Sequence, residues 1–387
     1  FNVRGNYLIE ELAKELNIPF KRTGALVVGN DLEKLNNLKT RGENNGVKEL
    51  EIINRDKLKE LVPNLKEDIK YALYAKTAGV ISPYIFAIAL AEEGVINGGD
   101  FKLGFEITNI EEEKNIFKIY SKDNIIEAKK VINCAGAGFN EISKFLKVEE
   151  YPIKFRRGEY IVLDKSEFVK LSIFPLPTNL GKGILATPTI DGNILLGPTA
   201  EDIKDYNTET TTDGIDKILG YINSTFDNVP LNKTIRQFSG IRVSCGEDFV
   251  VEKSKKNQNV VLVAGINSPG LSSAPAIAEF VVEELFEEKA QDKIMKRRSP
   301  YFTENAGKIV CRCEKIGENE IINAINAPIP AITVDAIKRR VRAGMGRCQG
   351  GQCMLEVCKL IARNKGLKLE DIKKESKNSY IMFKGEY

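Results

Sequence analysis

The chain is 387 residues long, with 57 Lys and Arg against 54 Asp and Glu, a formal net charge of +3 and 42% hydrophobic residues. At ~100–200 residues per domain this predicts two or three globular units, and the near-balance of charge excludes a dedicated nucleic-acid binder. No apolar run approaches the ~18 residues of a membrane span, which leaves only peripheral contact with a bilayer; the expected location is cytoplasmic, with attachment at the inner face of the membrane left open.

Histidine is absent, so any acid–base or ligand role that imidazole usually takes must fall to another side chain. The chain opens on Phe1, and nothing in its first residues resembles a signal peptide; a fragment that has lost a leader would read the same way. Residues 6–16 predict an amphipathic helix, with Leu8, Ile9, Leu12 and Leu16 on one stripe. A strand follows at 23–28. Ser82-Pro83 starts a second helix, Ser as N-cap and Pro in the first turn, running to about Asn97 before Gly98-Gly99. Residues 105–110 and 116–120 are candidate strands, and 130–134 is another, ending in Ala135-Gly136-Ala137-Gly138 before a helix at 140–146.

From 151 to 250 the pattern changes to short strands, at 159–163, 183–187 and 194–197. Turn signals such as Pro175, Pro177, Asp191-Gly192 and Gly197-Pro198 separate them. This predicts a mostly antiparallel sheet, inserted in an α/β framework as a substrate domain. Residues 259–265 return to a buried strand, 268–273 form a tight loop and 276–285 a helix. The charged stretch that follows, with Lys296-Arg297-Arg298, reads as a linker at 291–307. A cysteine-rich unit spans 308–365, with helices at 318–325, at 334–342 and from Met354. A Lys-rich tail, 366–387, holds one strand-like piece at 380–383.

That unit contains Cys311-Arg312-Cys313, then 34 residues, then Cys348-Gln349-Gly350-Gly351-Gln352-Cys353. Two thiols one residue apart reach one iron when the backbone is extended. The second pair sits beside Gly344-Met345-Gly346-Arg347, a glycine-rich loop that brings backbone N–H groups near the sulfurs. Four thiolates suit an iron–sulfur cluster or a zinc ion, and plain buried cysteines are the alternative. Cys358, on the following helix, reads as core. Arg339, Arg340, Arg342 and Arg347 either offset cluster charge and dock a partner or form a solvated helix face.

Residues 308–365, including Arg-Ala-Gly-Met-Gly-Arg-Cys-Gln-Gly-Gly at 342–351, resemble the bacterioferritin-associated-ferredoxin type of [2Fe–2S] domain. The wide gap between the last two cysteines resembles the variant appended to flavin dehydrogenases. The resemblance implies a cluster held by Cys311, Cys313, Cys348 and Cys353.

Across 1–290 the chain resembles the glycerol-3-phosphate dehydrogenase and D-amino-acid-oxidase-like family of FAD-dependent oxidoreductases. The matching stretches are Asn-Val-Arg-Gly-Asn at 2–6, Thr-Ala-Gly-Val-Ile-Ser-Pro-Tyr at 77–84, Arg-Arg-Gly-Glu-Tyr at 156–160, Thr-Pro-Thr at 187–189, Gly-Pro-Thr-Ala-Glu-Asp at 197–202, Phe-Ser-Gly-Ile-Arg at 238–242 and Ala-Gly-Ile-Asn-Ser-Pro-Gly-Leu at 264–271. The fold implied is α/β plus α+β: a Rossmann-like FAD-binding domain interleaved with the antiparallel substrate sheet, then a small helical [2Fe–2S] domain.

The family opens with a Gly-x-Gly-x-x-Gly turn that seats the FAD pyrophosphate on a helix N-terminus. Gly136-Ala137-Gly138 lacks the third glycine. The expectation is that the first βαβ unit is missing or encoded elsewhere, and that the chain alone binds FAD weakly. The remaining cofactor residues implied are Gly265, Ser268, Gly270, Leu271 and Ser272 beside the flavin, Asn133, Ala135 and Gly136 toward the adenosine half, Ile107 near the adenine, and Gly240.

For the substrate, the resemblance implies an arginine at the Gly-x-Arg position, Arg242, as anion anchor. Arg157 and Lys182 are further candidates, and a surface ion pair is the alternative for Arg242. The activity implied is oxidation of a small anionic alcohol, glycerol 3-phosphate first. Electrons then pass through the cluster to an acceptor protein or a quinone-linked subunit. An L-2-hydroxyglutarate-type 2-hydroxy acid oxidase, or a non-catalytic electron-transfer subunit, is the alternative.

Overall fold

A computed structural model describes residues 1–122, 124–177, 183–287 and 296–382. The largest sheet has nine strands. Its order is Glu201–Ile203, Lys154–Leu163, Ile194–Gly197, Leu185–Pro188, Ser172–Pro175, Ala25–Gly29, Tyr71–Ala75 and Leu50–Ile53, with Thr234–Ser244 also paired to Lys154–Leu163. Every pairing is antiparallel except Ser172–Pro175 on Ala25–Gly29. The substrate sheet therefore extends beyond 151–250. Ala25–Gly29 buries Leu26 and Val28 on one face, and that face closes the same core as Leu163, Ile173, Ile194 and Leu196. Ile218 and Ile222, from the helix Thr212–Thr225, complete this core.

A second sheet runs Val250–Lys253, Val260–Ala264, Val131–Asn133, with the last two strands parallel. Val260–Ala264 is buried throughout, so both faces must be covered by apolar groups. Val260, Leu262 and Ala264 pack on Phe139 and Leu146, and Val261 and Val263 on Ile277 and Val281. The helix expected at 276–285 begins earlier, as Gly270–Phe280, and ends in a wider turn, Val281–Leu285. Pro275 stands inside this helix and removes the hydrogen bond to the Leu271 carbonyl, four residues back. The strand expected at 105–110 lies instead at Asn109–Glu113. It forms a hairpin with Ile116–Ser121 through Lys114 and Asn115, whose φ of 53° and 63° give the tight turn that strand twist prefers. Ser82 occupies the N-cap of the helix Pro83–Ile96, but its Oγ makes no capping bond.

The C-terminal unit packs the helices Glu318–Ile325, Val334–Val341 and Met354–Lys365 around Ile321, Ile325, Ile337, Val341, Val357 and Ile361. Within the charged stretch before it, Arg298 and Tyr301 are buried. Tyr301 donates a 2.7 Å hydrogen bond to Glu92, itself fully buried on the helix Pro83–Ile96. Arg298 and Arg340 flank Glu92 at 3.9 Å and 3.6 Å. This cluster fixes the C-terminal unit against the body.

At the N-terminus the helix Asn2–Glu15 crosses the helix Gly270–Phe280 at backbone contact. A Cβ added at Gly5 would overlap the Ser272 carbonyl oxygen, and Arg4 pairs with Glu279 at 2.9 Å nearby. Gly5→Ala is therefore expected to destabilise the protein by about 1–3 kcal/mol through overpacking, measured by urea denaturation. Gly94→Ala, where a Cβ meets nothing within 4 Å, is expected to stabilise it by about 0.5–1 kcal/mol, as in any exposed helix interior.

Candidate active site and cluster centre

A cleft of about 1720 Å³ lies where the two sheets and the C-terminal unit meet, larger than the ~300–1,000 Å³ usual for a small ligand. One wall is the turn from Gly265 to Ser272. Gly265 has φ 65°, and a Cβ there would overlap Cys245 Sγ, so only glycine lets this backbone approach so closely. The helix Gly270–Phe280 opens onto the cleft with no side-chain cap and no acid in its first turn. Its N-terminal N–H groups and dipole favour a ligand group that carries negative charge. Gly265, Ser268, Gly270, Leu271 and Ser272 all line this wall, and Gly136 lines the cleft at the end of Val131–Asn133.

Other expected cofactor residues lie elsewhere. Asn133 is 2% exposed, and its amide donates to the Phe139 carbonyl at 3.0 Å and Ser143 Oγ at 3.1 Å. Its Oδ1 accepts from the Ala135 N–H at 3.2 Å. It holds the strand-to-helix turn together, and neither it nor Ala135 lines the cleft. Ile107 packs on the hydrophobic cluster of Phe117 and Phe139. Gly240 lies in an open stretch of its strand, where a Cβ meets nothing within 4 Å.

The opposite wall is the strand Thr234–Ser244, which contributes Arg236, Phe238, Ser239 and Arg242. Arg242 pairs in register with Arg156 on the neighbouring strand, and its guanidinium lies beside the Tyr160 phenol. Burial pushes that phenol up, and the Arg242 charge pulls it partly back. Tyr160 stacks on Phe238 at 5.1 Å, which holds the phenol in place. Among the described residues no carboxylate pairs with Arg242, in contrast to its neighbours. Arg156 is bidentate to Asp202. Arg157 lies 3.1 Å from the fully buried Glu159, which also accepts from Thr211 N and Oγ1; it does not line the cleft. Lys182 lies outside the described residues.

The sequence reading passed over several cleft residues. Arg236 is a second cation without a carboxylate partner, six positions before Arg242 on the same strand. Ser82 Oγ and Ser239 Oγ are buried at the cleft wall with no hydrogen-bond partner. A hydroxyl of that kind needs a ligand acceptor or donor. The chemistry of the cleft, an uncapped helix N-terminus and a glycine held open on one wall with unpaired hydroxyls elsewhere around it, fits the flavin end of FAD. No signal in residue order singles out a serine for this.

In the C-terminal unit, Cys311 and Cys353 are 1% and 2% exposed, Cys313 is exposed and Cys348 half-buried. They form two pairs: Cys313 Sγ lies 3.6 Å from Cys348 Sγ, and Cys311 is hydrogen-bonded to Cys353. The Cys353 thiol lowers Cys311, helped by backbone N–H groups of Gly344 and Glu314. The N–H of Gln352, and then that of Gly350, lower Cys348. Such a nest of amides favours thiolate. The pairs run between the two motifs instead of joining Cys311 to Cys313 on one iron as their spacing suggested, and the four thiols together supply the ligand number of a [2Fe–2S] cluster. A Cβ at Gly346 would overlap Cys313 Cβ, so the glycine-rich loop lies directly on the first ligand pair. Cys358 is fully buried in the core.

Of the four arginines near the cluster, only Arg347 stands largely in solvent, at 79% exposed. Arg339 pairs with Glu375, Arg340 with Glu92 and Arg342 with Asp191. Lys338, Arg339 and Arg342 line the cleft, but each is already met by a carboxylate. The cleft cations left without one are Arg236 and Arg242.

Residues 1–284 match the family model described as FAD dependent oxidoreductase, and residues 309–363 the one described as BFD-like [2Fe-2S] binding domain. The chain is 41% identical to a glycerol 3-phosphate dehydrogenase of Caloramator mitchellensis, over 98% of this chain and 85% of the relative. It is 30% identical to a glycerol 3-phosphate oxidase of Mycoplasma genitalium, over 73% and 78%. The FAD-bound structure of the L-alpha-glycerophosphate oxidase from Mycoplasma pneumoniae superimposes with a TM-score of 0.70 at 26% identity, covering 76% of this chain and 80% of that one. With the cleft wall and the paired thiols, these matches show that the chain belongs to the FAD-dependent oxidoreductase family and carries a BFD-like [2Fe–2S]-binding domain.

Proposed function

We propose that the chain oxidises the secondary alcohol of glycerol 3-phosphate and delivers the electrons to an external acceptor. The observation that carries this reading is Arg242, a guanidinium on the cleft wall with no carboxylate partner, held by the Tyr160 phenol across from the uncapped N-terminus of the helix Gly270–Phe280. A planar guanidinium takes a phosphate bidentately, and Arg236 adds positive charge on the same strand. The two relatives, a glycerol 3-phosphate dehydrogenase and a glycerol 3-phosphate oxidase, support phosphate as the anion. When bound, FAD supplies hydride acceptance and the cluster supplies one-electron transfer.

The chain's own residues then do three things. Arg242 orients the substrate, so that its carbinol carbon is presented to the cofactor side of the cleft. The backbone from Gly265 to Gly270 approaches the flavin-binding end without side-chain interference, in the Rossmann-like arrangement, and the helix dipole favours charge developing there. Met345 and Gln349, which lie on either side of Cys348 in the chain, line the cleft, and this joins the cleft to the cluster. On the outer side Cys313 is exposed beside Arg312 and Lys315. That edge suits an electron-acceptor protein or a quinone-linked subunit. Among the described residues no helix is long and apolar enough to cross a membrane.

Two measurements test this reading. Anaerobically purified protein is expected to hold about two iron and two sulfide per chain. Cys→Ser at any of 311, 313, 348 or 353 should lower the iron content, and Cys358→Ala should leave it unchanged; stoichiometric zinc without iron would contradict the assignment. Arg242→Met is expected to cost at least about tenfold in kcat/KM for sn-glycerol 3-phosphate, since a charge-assisted contact is worth ~1.5–3 kcal/mol, with Arg242→Lys intermediate. Activity on L-2-hydroxyglutarate in place of glycerol 3-phosphate would move the substrate assignment to a 2-hydroxy acid.

A further inference from the structure

Arg342 ends the helix Val334–Val341 at φ 65°, a left-handed conformation that side-chain-bearing residues rarely adopt. That backbone turn aims a nearly buried guanidinium, 10% exposed, across to the substrate sheet. Nη1 lies 2.7 Å from Asp191 Oδ2, and Nη2 donates to Asn193 Oδ1 at 2.8 Å, both on the turn between Leu185–Pro188 and Ile194–Gly197. Nε donates to Glu314 Oε2 at 2.9 Å. Glu314 follows Cys313 directly, is 2% exposed, and is also met by Lys165 from the body at 3.1 Å. Nη1 further lies 3.5 Å from Met345 Sδ, on the loop that leads to Cys348. One side chain therefore touches the cleft-lining turn at Asp191, the loop of the first cysteine pair at Glu314, and the loop before the second pair at Met345.

We propose that Arg342 is a positioning residue for electron transfer: its fork holds both cysteine loops at a fixed separation from the flavin end of the cleft, and so sets the rate at which the cluster is reduced. The inference rests on the electron path proposed above. The geometry favours it over a general adhesive role, because the body–module contact has a separate anchor at Glu92, with Arg298, Arg340 and Tyr301. Removing Arg342 leaves that anchor intact. What it releases is the position of the cysteine loops, and electron transfer slows as donor and acceptor move apart, so a site held loosely by its supporting residues transfers more slowly.

The test uses FAD- and cluster-loaded full-length enzyme, with the flavin reduced by light in the presence of EDTA, so that no substrate is involved. Cluster reduction is followed by freeze-quench electron paramagnetic resonance. Arg342→Met is expected to slow cluster reduction several-fold, while iron content and flavin photoreduction stay at the wild-type level. Amide exchange should quicken at 188–195 and 343–350 and not in the helix Pro83–Ile96. Asp191→Ala removes the fork's partner from the body side and should reproduce the defect even if the Arg342 variant loses its cluster. Lys165→Met, which removes the other cation on Glu314, should have a smaller effect. Wild-type rates in both Arg342→Met and Asp191→Ala, or equal slowing by Lys165→Met, would overturn the proposal. Failure of the wild-type flavin to reduce its cluster would instead overturn the electron path itself.

Discussion

Glu92 is a carboxylate with no exposed surface, and the arrangement of the body and the cluster unit follows from satisfying it. A buried charge of this kind is tolerated only with cations and hydrogen bonds around it, and removing one partner from such a pair costs about 3–5 kcal/mol. Here the partners come from two other parts of the chain. Arg298 and Tyr301 come from the segment that leaves the body, and Arg340 from the helix Val334–Val341 of the cluster unit. Glu92 raises the Tyr301 phenol, already raised by burial, so it stays a hydrogen-bond donor. Glu93 accepts from the Arg298 N–H at 2.9 Å and meets Arg297 at 3.5 Å, which adds a second tie on the same turn. The helix Pro83–Ile96 that carries both acids begins at the cleft, with Ser82 and Tyr84 in its wall. One helix thus links the position of the cluster unit to the position of the active site.

Charge neutralisation also sorts the arginines by role. Arg4, Arg156, Arg157, Arg339, Arg340 and Arg342 each meet a carboxylate and so serve structure. Arg242 meets only the neutral Tyr160 phenol among the described residues. A guanidinium in that position keeps its capacity for an anionic ligand, and the stacked Tyr160 and Phe238 rings limit the entropy lost when the ligand binds. A chain without histidine can still hold a metal centre because the paired thiols supply the ligands, with loop N–H groups favouring the thiolate at Cys311 and Cys348.

Residue order identifies the cluster unit well, because its ligands are close in sequence and its loop needs glycine at specific places. The helices there and at Pro83–Ile96 and Phe139–Leu146 follow from local periodicity and stop signals. Long-range pairing is what residue order hides. The strand expected at 23–28 read as part of the α/β framework, yet as Ala25–Gly29 it joins the substrate sheet, because Ser172–Pro175 offers a parallel edge 147 residues later; Tyr71–Ala75 and Leu50–Ile53, not foreseen, follow it there. Arg156 and Arg157 are adjacent and alike in sequence. Strand alternation and the register with Thr234–Ser244 send one to Asp202 and the other to the buried Glu159, so that neither joins Arg236 and Arg242 at the cleft. Asn133 looked like a cofactor contact because it ends a strand at a glycine-rich turn, but its amide is fully used in holding that turn. Arg342 read either as offsetting cluster charge or docking a partner, or as part of a solvated helix face; the left-handed backbone at its own position turns it inward.

The central claim is that substrate oxidation in the cleft and reduction of the cluster are one connected process within this chain. The most direct measurement is the anaerobic addition of sn-glycerol 3-phosphate to oxidised enzyme carrying both FAD and the cluster, with flavin absorbance and the cluster's paramagnetic resonance signal recorded on the same sample. The account predicts that the flavin band bleaches and the reduced-cluster signal then rises without any added mediator. Flavin bleaching with the cluster left oxidised, or no response of either centre, would contradict it.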